Sequence, residues 1–290
     1  LIIKYYGIKQ GYPILRKKFN RFVDYIVLLR PFTLLAPIMV GLFLVLATDG
    51  ITYNSLAKGV YVGITLALAQ ACGQVINQVV DADLDKLIKP YRPIPSGRVS
   101  KEEALGVSYL LALAAVGRAF TISIYFGLMV CVMLFFAVFY SFPPLSPRKV
   151  NPVLNLTWVA FSRGFLPIVA VMGIDAWKYA ILSFIWAFGW QGTKDVPDVV
   201  ADRQYGIKTI ANTYGVSALK ALSTFTSIVF AVVAIYFELP IFLLLVPLAL
   251  YGIAKYKAKW KGENTVAWAV FYIGLGIIPI LILFDKLFFV

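Results

Sequence analysis

At 290 residues, 61% of them hydrophobic, 16% aromatic and only 14% charged, with a mean hydropathy of +0.83, the chain lies far outside the composition of a soluble domain. Its 27 Lys and Arg against 14 acidic residues give a formal net charge of +13 without a single histidine, which excludes histidine-ligated zinc or iron. Cys72 and Cys131 both fall in apolar runs and imply neither a disulfide framework nor a metal site.

The first stretch, LIIKYYGIKQGYPILRKKFNRF, lacks the apolar core and small-residue cleavage site of a signal peptide, and residues 1–23 are expected to form a basic amphipathic segment lying on a membrane. Apolar runs then recur to the C-terminus. A helix needs about 20 residues to cross ~30 Å of hydrocarbon, and nine spans are predicted: 25–48, 59–80, 104–117, 121–140, 152–173, 179–190, 216–237, 239–253 and 265–284. Gly and Pro within 34–41 predict a kinked helix whose neighbours satisfy the freed backbone groups. The expected fold is all-α: a single domain over residues 1–290, a polytopic membrane protein of about nine transmembrane helices.

Basic residues segregate with that count. Lys4, Lys9, Arg16, Lys17, Lys18, Arg21, the run Lys86 to Lys101, Arg148 and Lys149, Lys194 to Lys208, Lys220 and Lys255 to Lys261 fall on the N-terminal side, whereas Lys58, Arg118, Lys178 and Lys286 fall on the other. The positive-inside rule then predicts a multi-pass protein of the cell membrane with a cytoplasmic N-terminus. The positive charge is topological, suits anionic headgroups of membrane lipid or an anionic substrate, and needs no nucleic acid to explain it.

Six of the fourteen acidic residues lie in two short segments. Asp81, Asp83 and Asp85 follow the second apolar run, and Asp195, Asp198 and Asp202 follow the sixth, the same relative position four helices later, as in a duplicated four-helix unit. Asn77, Asp81 and Asp85 are spaced i, i+4, i+8 and share one face of an extended helix, from which Asp83 points away. Asp195, Asp198 and Asp202 are spaced i, i+3, i+7, with Pro197 disturbing a regular helix at the start. Facing carboxylates repel unless protonated or bridged by a hard cation. Oxygen-only donors suit Mg²⁺, which keeps waters and completes its shell with phosphates, so a diphosphate substrate is implied. Lys89, Arg92, Arg148, Lys149, Lys194, Arg203 and Lys208 lie where such a diphosphate needs them. Arg163, in the middle of the fifth run, is either a salt-bridge partner for a neighbouring helix or a substrate contact. Trp158, Trp186 and Trp190 are expected to pack or anchor rather than to line a substrate site.

These residues resemble a known pattern. NQVVDADLD is similar to the NxxxDxxxD signature of the UbiA superfamily of intramembrane prenyltransferases, and DVPDVVAD resembles its second, DxxxD-type signature. KPYRPIPSG, YSFPPLSPRK at 140–149 and DRQYGIKT extend the likeness. The resemblance implies a helical bundle around a central cavity closed by cytoplasmic cap loops. It also implies two Mg²⁺ ions, an isoprenyl diphosphate donor, a lipophilic or aromatic acceptor, and release of diphosphate through an allylic carbocation. By position it implies Asn77, Asp81, Asp85, Asp195, Asp198 and Asp202 as metal ligands, Asp81, Asp198 and Arg148 as catalytic, and Tyr140 with the basic residues above, Arg163 included, as diphosphate contacts. Ser146, where many relatives carry a basic residue, and Val199, Val200 and Ala201 depart from the pattern. A secondary transporter of an anionic solute is the competing reading, since kinked helices and intramembrane acids occur there too, although at the midplane.

Overall fold

The computed structural model describes residues 13–256 and 265–289; the expected amphipathic segment up to residue 12, Lys4, Lys9, Lys257, Lys259 and Lys261 lie outside the described residues. Helix α1 (Pro13–Leu29) leads through a 3-10 turn at Pro31–Leu34 into α2 (Leu35–Asp49) and then α3 (Tyr53–Val80). A short α4 (Ala82–Ile88) precedes α5 (Lys101–Phe120), α6 (Ile124–Phe139), α7 (Pro147–Val150) and α8 (Pro152–Ala160), which continues through a π turn, Phe161–Phe165, into α9 (Leu166–Met172). After α10 (Trp177–Trp190) come a 3-10 segment, Gln191–Asp198, and the short α11 (Val199–Gln204) and α12 (Ile210–Thr213). The chain ends with α13 (Val216–Tyr236), α14 (Val246–Ala254) behind a 3-10 turn at Pro240–Leu245, and α15 (Thr265–Phe288).

The protein is all-helical, and helices occupy each predicted position. Among the described residues six stretches are long and apolar enough to cross a membrane: Pro31–Asp49, Tyr53–Val80, Lys101–Phe120, Pro152–Met172, Val216–Tyr236 and Val266–Phe288. Ile124–Phe139, Trp177–Trp190 and Pro240–Ala254 are shorter, so length and apolarity single out six of the nine expected spans among the described residues and do not establish the count of nine.

The first span also starts later than its apolar run. Arg30 adopts φ 51°, ψ 62° and separates α1 from the membrane stretch. Pro31 explains the break, because a following proline disfavours the α region for the residue before it. Three glutamines on one face of α3 hold the break in place: Gln78 Nε2 donates to Leu28 O at 2.7 Å, Gln70 Nε2 to Thr33 O at 2.6 Å, and Gln74 pairs with the Thr33 hydroxyl. Thr33 Oγ1 in turn donates to Arg30 O at 2.7 Å. A row that is neutral and polar in sequence thus satisfies backbone groups exposed by the turn. Helix α1 is tied to the loop between α4 and α5 by Arg98 Nε donating to Asp24 at 2.9 Å, and to α5 by Arg21 and Tyr25 donating to Glu103.

Helices α2 and α3 meet backbone to backbone. A Cβ on Gly41 would fall 2.2 Å from Gly63 N, the close approach that small residues permit between membrane helices. Trp186, Trp190, Phe230, Phe242 and Phe271 are fully buried among the second-half helices, so Trp186 and Trp190 are core residues. At one end of the bundle Leu84 of α4 packs with Ala201 of α11 and Ile207, which joins the segments that follow the two acidic motifs. Beneath that seam lies a cavity of about 400 Å³.

Candidate active site

Helix α3 ends at Val80, and Asp81 leaves helical geometry at φ −89°, ψ 8° before α4 resumes. Backbone hydrogen bonds from Asp81 N to Asn77 O (2.9 Å) and from Asp85 N to Asp81 O (2.7 Å) carry the four-residue spacing across this break. Asn77, Asp81 and Asp85 therefore all line the cavity. Asp83 is turned away: it is exposed and takes Lys86 at 2.9 Å and Lys101 at 3.1 Å. Hydrogen bonds from Lys86 and Lys101 hold its carboxyl below the usual range. Asp83→Asn is accordingly expected to change kcat/KM less than about threefold, because exposed ion pairs contribute about 0–1 kcal/mol; a steady-state assay of the variant beside wild type checks this.

The second acidic segment is not the single helical face that its spacing suggests. Pro197 lacks the amide hydrogen an α-helix requires, so Gln191–Asp198 forms a 3-10 stretch and α11 starts only at Val199. Asp195, Asp198 and Asp202 nevertheless all reach the same cavity.

The lining thus carries five carboxylates and six cations, the latter being Arg30, Lys89, Arg92, Arg148, Arg163 and Lys194. Arg148 grips Asp81 with both terminal nitrogens, Nη1 to Oδ2 at 2.7 Å and Nη2 to Oδ1 at 2.6 Å, the bidentate geometry that makes such pairs strong. Asn77 Nδ2 donates to Asp81 Oδ2 at 2.8 Å and to the Ser141 hydroxyl at 3.1 Å. Arg92 pairs with Asp85 at 2.5 Å and Lys194 with Asp195 at 2.8 Å. Lys89, from the first segment, reaches across to Asp198 of the second at 2.5 Å. Asp202, 7% exposed, has no ion-pair partner among the described residues. Burial, with Asp195 and Asp198 nearby, pushes its carboxyl up to about 8.

Among the described residues no three acidic groups enclose a metal ion by themselves. The donor set still fits Mg²⁺, which prefers a few carboxylates together with water and phosphate oxygens over an all-protein cage. Two features mark incomplete satisfaction: the buried, unpaired Asp202 favours an added cation, and Arg148 Nε is buried without an acceptor, which favours an added oxygen anion.

Tyr140 lines the cavity with its ring facing Arg148 at 5.6 Å, and donates its hydroxyl to Asn155 Oδ1 at 3.0 Å. Arg163 sits on the π turn, a helical irregularity frequent at functional sites. It has no ion-pair partner among the described residues, and its Nη1 approaches the Tyr272 hydroxyl at 3.4 Å, so the salt-bridge reading of Arg163 finds no carboxylate there. Three expected diphosphate contacts stand outside the cavity lining. Lys149 is exposed, Arg203 donates to Asn212 O at 2.8 Å and Lys208 Nζ to Val150 O at 3.1 Å. Their positive charge made them candidates, but their side chains lie on the outer surface of the cap.

Arg30, Trp158, Trp268 and Tyr272 line the cavity without having been singled out as site residues. Burial, with Arg92 close by, lowers the Arg30 guanidinium to about 10. Its signal was available, since an arginine inside an apolar run is costly there for the same reason as Arg163. Trp158 contradicts its assignment to packing alone: its indole donates to Phe136 O at 2.8 Å and its ring fills part of the cavity wall.

The chain belongs to the UbiA prenyltransferase family, whose model matches residues 34–282. It is 31% identical over 183 residues to a digeranylgeranylglyceryl phosphate synthase of Methanobrevibacter smithii, across 58% of this chain and 65% of that protein. A protein of the same name from Korarchaeum cryptofilum is 31% identical over 215 residues, 66% of this chain and 75% of that one. A probable homogentisate phytyltransferase 2 of Oryza sativa subsp. japonica is 31% identical over 167 residues, 51% of this chain and 43% of its own length. Among solved structures, a UbiA homologue from Archaeoglobus fulgidus bound to DMAPP and Mg²⁺ superposes with a TM-score of 0.71 at 22% identity, covering 91% of this chain and 98% of that one. The same homologue bound to GPP and Mg²⁺ gives a TM-score of 0.66 at 24% identity, over 91% and 98%. At these identities the superpositions establish the shared fold.

Proposed function

We propose that the protein transfers a prenyl group from an isoprenyl diphosphate to a lipophilic or aromatic acceptor and releases diphosphate. The observation that carries this reading is the polarity of one cavity. Five carboxylates, four of them paired with cations, line the cavity together with Met133, Phe136, Trp158 and Trp268, which contribute apolar and aromatic wall. A prenyl diphosphate has that same division, an anionic head and an apolar tail.

Asn77, Asp81 and Asp85 on one side, and Asp195, Asp198 and Asp202 on the other, would hold Mg²⁺, with two ions matching the two sets. Bound Mg²⁺ supplies positive charge to the diphosphate oxygens as negative charge builds on them. The chain's own cations act in the same direction. Lys89, Arg92, Arg148 and Lys194 are already held within reach of the head by carboxylates, so the cost of ordering them is met before substrate arrives. Loss of diphosphate leaves an allylic carbocation, which the ring faces of Phe136, Trp158 and Tyr272 can stabilise while excluding water. Arg163 and Tyr140, both in the wall, complete the polar lining around the reacting end. The distribution of basic residues supports a cell-membrane location with the caps and N-terminus cytoplasmic, the side on which a water-soluble diphosphate head and its metal would enter.

Proteoliposomes supplied with geranylgeranyl diphosphate, Mg²⁺ and a native lipid extract test the reading. Diphosphate is expected to accumulate, and to fall to background with Asp198→Asn. Donor or another anion carried across the bilayer chemically unchanged, with no diphosphate formed, would instead identify a transporter.

A further inference from the structure

We infer that Asn155 is a positioning residue that locks the Arg148 loop to the segment following the second acidic motif, an inference that rests on the prenyl-transfer reading of the cavity. Asn155 lies in the first half of α8, is 4% exposed, and is absent from the cavity wall. A buried amide in an apolar helix is costly unless satisfied, and this one is satisfied on both sides. Its Oδ1 accepts the Tyr140 hydroxyl at 3.0 Å, and its Nδ2 donates to the backbone carbonyl of Lys208 at 2.8 Å.

The partners give the arrangement its consequence. The backbone N–H of Lys208 donates to Arg148 O at 2.7 Å. Lys208 is therefore held at its carbonyl by Asn155 and at its amide by Arg148, while its side chain closes onto Val150 O at 3.1 Å. On the other arm, Asn155 fixes the hydroxyl of Tyr140, whose ring faces the Arg148 guanidinium at 5.6 Å. Both arms end on Arg148, which carries the bidentate contact to Asp81. One amide thus sets the position of Arg148 from its backbone and from its ring neighbour, and does so by joining the loop between α6 and α8 to the loop after α11. Those loops contribute to the two halves of the site, so the clasp fixes the spacing across which the diphosphate must fit.

Displacing a charged group by about 1 Å can cost on the order of 100-fold in rate. Asn155→Ala is expected to lower kcat/KM for the prenyl donor by about 10- to 100-fold, and to lower the melting temperature in detergent as well, since the Tyr140 hydroxyl and the Lys208 carbonyl lose their partner. Arg148→Lys keeps the charge and loses the fork. If Asn155 acts through Arg148, adding Asn155→Ala to Arg148→Lys costs less than about threefold more, whereas independent effects multiply. Asn155→Leu, which keeps the volume and can neither accept from Tyr140 nor donate to Lys208 O, is expected to behave like the alanine variant. Hydrogen–deuterium exchange supplies a readout independent of turnover. Peptides covering 146–150 and 205–210 are expected to exchange faster in Asn155→Ala, with those from α13 unchanged. Multiplicative losses in the double variant, wild-type behaviour of Asn155→Leu, or unchanged exchange at Lys208 would each overturn the clasp. Inactive wild-type protein with the expected exchange pattern would count against the prenyl-transfer reading while leaving the clasp intact.

Discussion

Asp81→Asn is expected to lower kcat/KM for an isoprenyl diphosphate by on the order of 10²–10³-fold, the loss that follows removal of one preorganised electrostatic contact at a reacting centre. Asp81 is where three features of the site meet: it begins the break between α3 and α4, accepts Asn77, and receives both terminal nitrogens of Arg148. Asparagine keeps the shape and one acceptor oxygen, but removes the charge that would hold Mg²⁺ and that balances the guanidinium. Arg148 is 3% exposed, and stranding a buried charge costs about 3–5 kcal/mol, a cost that Asp81→Asn and Asp81→Ala share, so the melting temperature is measured beside kcat/KM. Retained folding by circular dichroism together with wild-type kcat/KM in Asp81→Asn would remove Asp81 from the reaction.

Chelation is the second large effect. EDTA in excess is expected to abolish turnover, and added Mg²⁺ to restore it fully. The reason lies in the charge balance of the wall. Four of the five carboxylates already have a basic partner, while Asp202 has none among the described residues and is held above the usual carboxylate range by burial beside Asp195 and Asp198. A diphosphate adds several negative charges to that wall, more than Arg30 and Arg163 can offset. A divalent cation supplies the difference and satisfies Asp202 at the same time. Undiminished turnover in chelator would mean that the protein's own cations suffice. Measuring initial rates against free Mg²⁺ concentration distinguishes the two outcomes.

Much of this site was legible in the sequence because its chemistry is carried by charge in an otherwise apolar chain. Asn77, Asp81 and Asp85 stand at helical spacing, and the spacing survives a break in the helix because the backbone hydrogen bonds bridge it. Asp83 was separated from its neighbours by geometry alone, and it is the one of the three that faces outward. The second motif was harder to read. Spacing picked out three acids that all line the cavity, but Pro197 replaces the expected helical face with a 3-10 stretch, and α11 packs against α4 through Ala201 and Leu84. Charge also misled. Lys208 looked like a phosphate ligand, yet its side chain closes a loop and its backbone carries the clasp. Asn155, Gln70 and Gln78 gave no signal, because an uncharged amide in an apolar run does not reveal which backbone group it will satisfy. The break at Arg30 was hidden for a related reason: hydropathy reads through a single arginine, whereas Pro31 and the glutamine row of α3 decide the local geometry.

The proposed reaction is a bond change: the prenyl group leaves diphosphate and appears on an acceptor. The most direct measurement is mass spectrometry of products formed by the purified protein in lipid nanodiscs from geranylgeranyl diphosphate, Mg²⁺ and native lipid extract. A new species heavier than one component of the extract by a geranylgeranyl group replacing hydrogen is expected, formed in step with diphosphate and reduced on the order of 10²–10³-fold with Asp81→Asn. Intact donor and an unchanged extract, from protein that is folded and supplied with Mg²⁺ and with donors of several chain lengths, would contradict it.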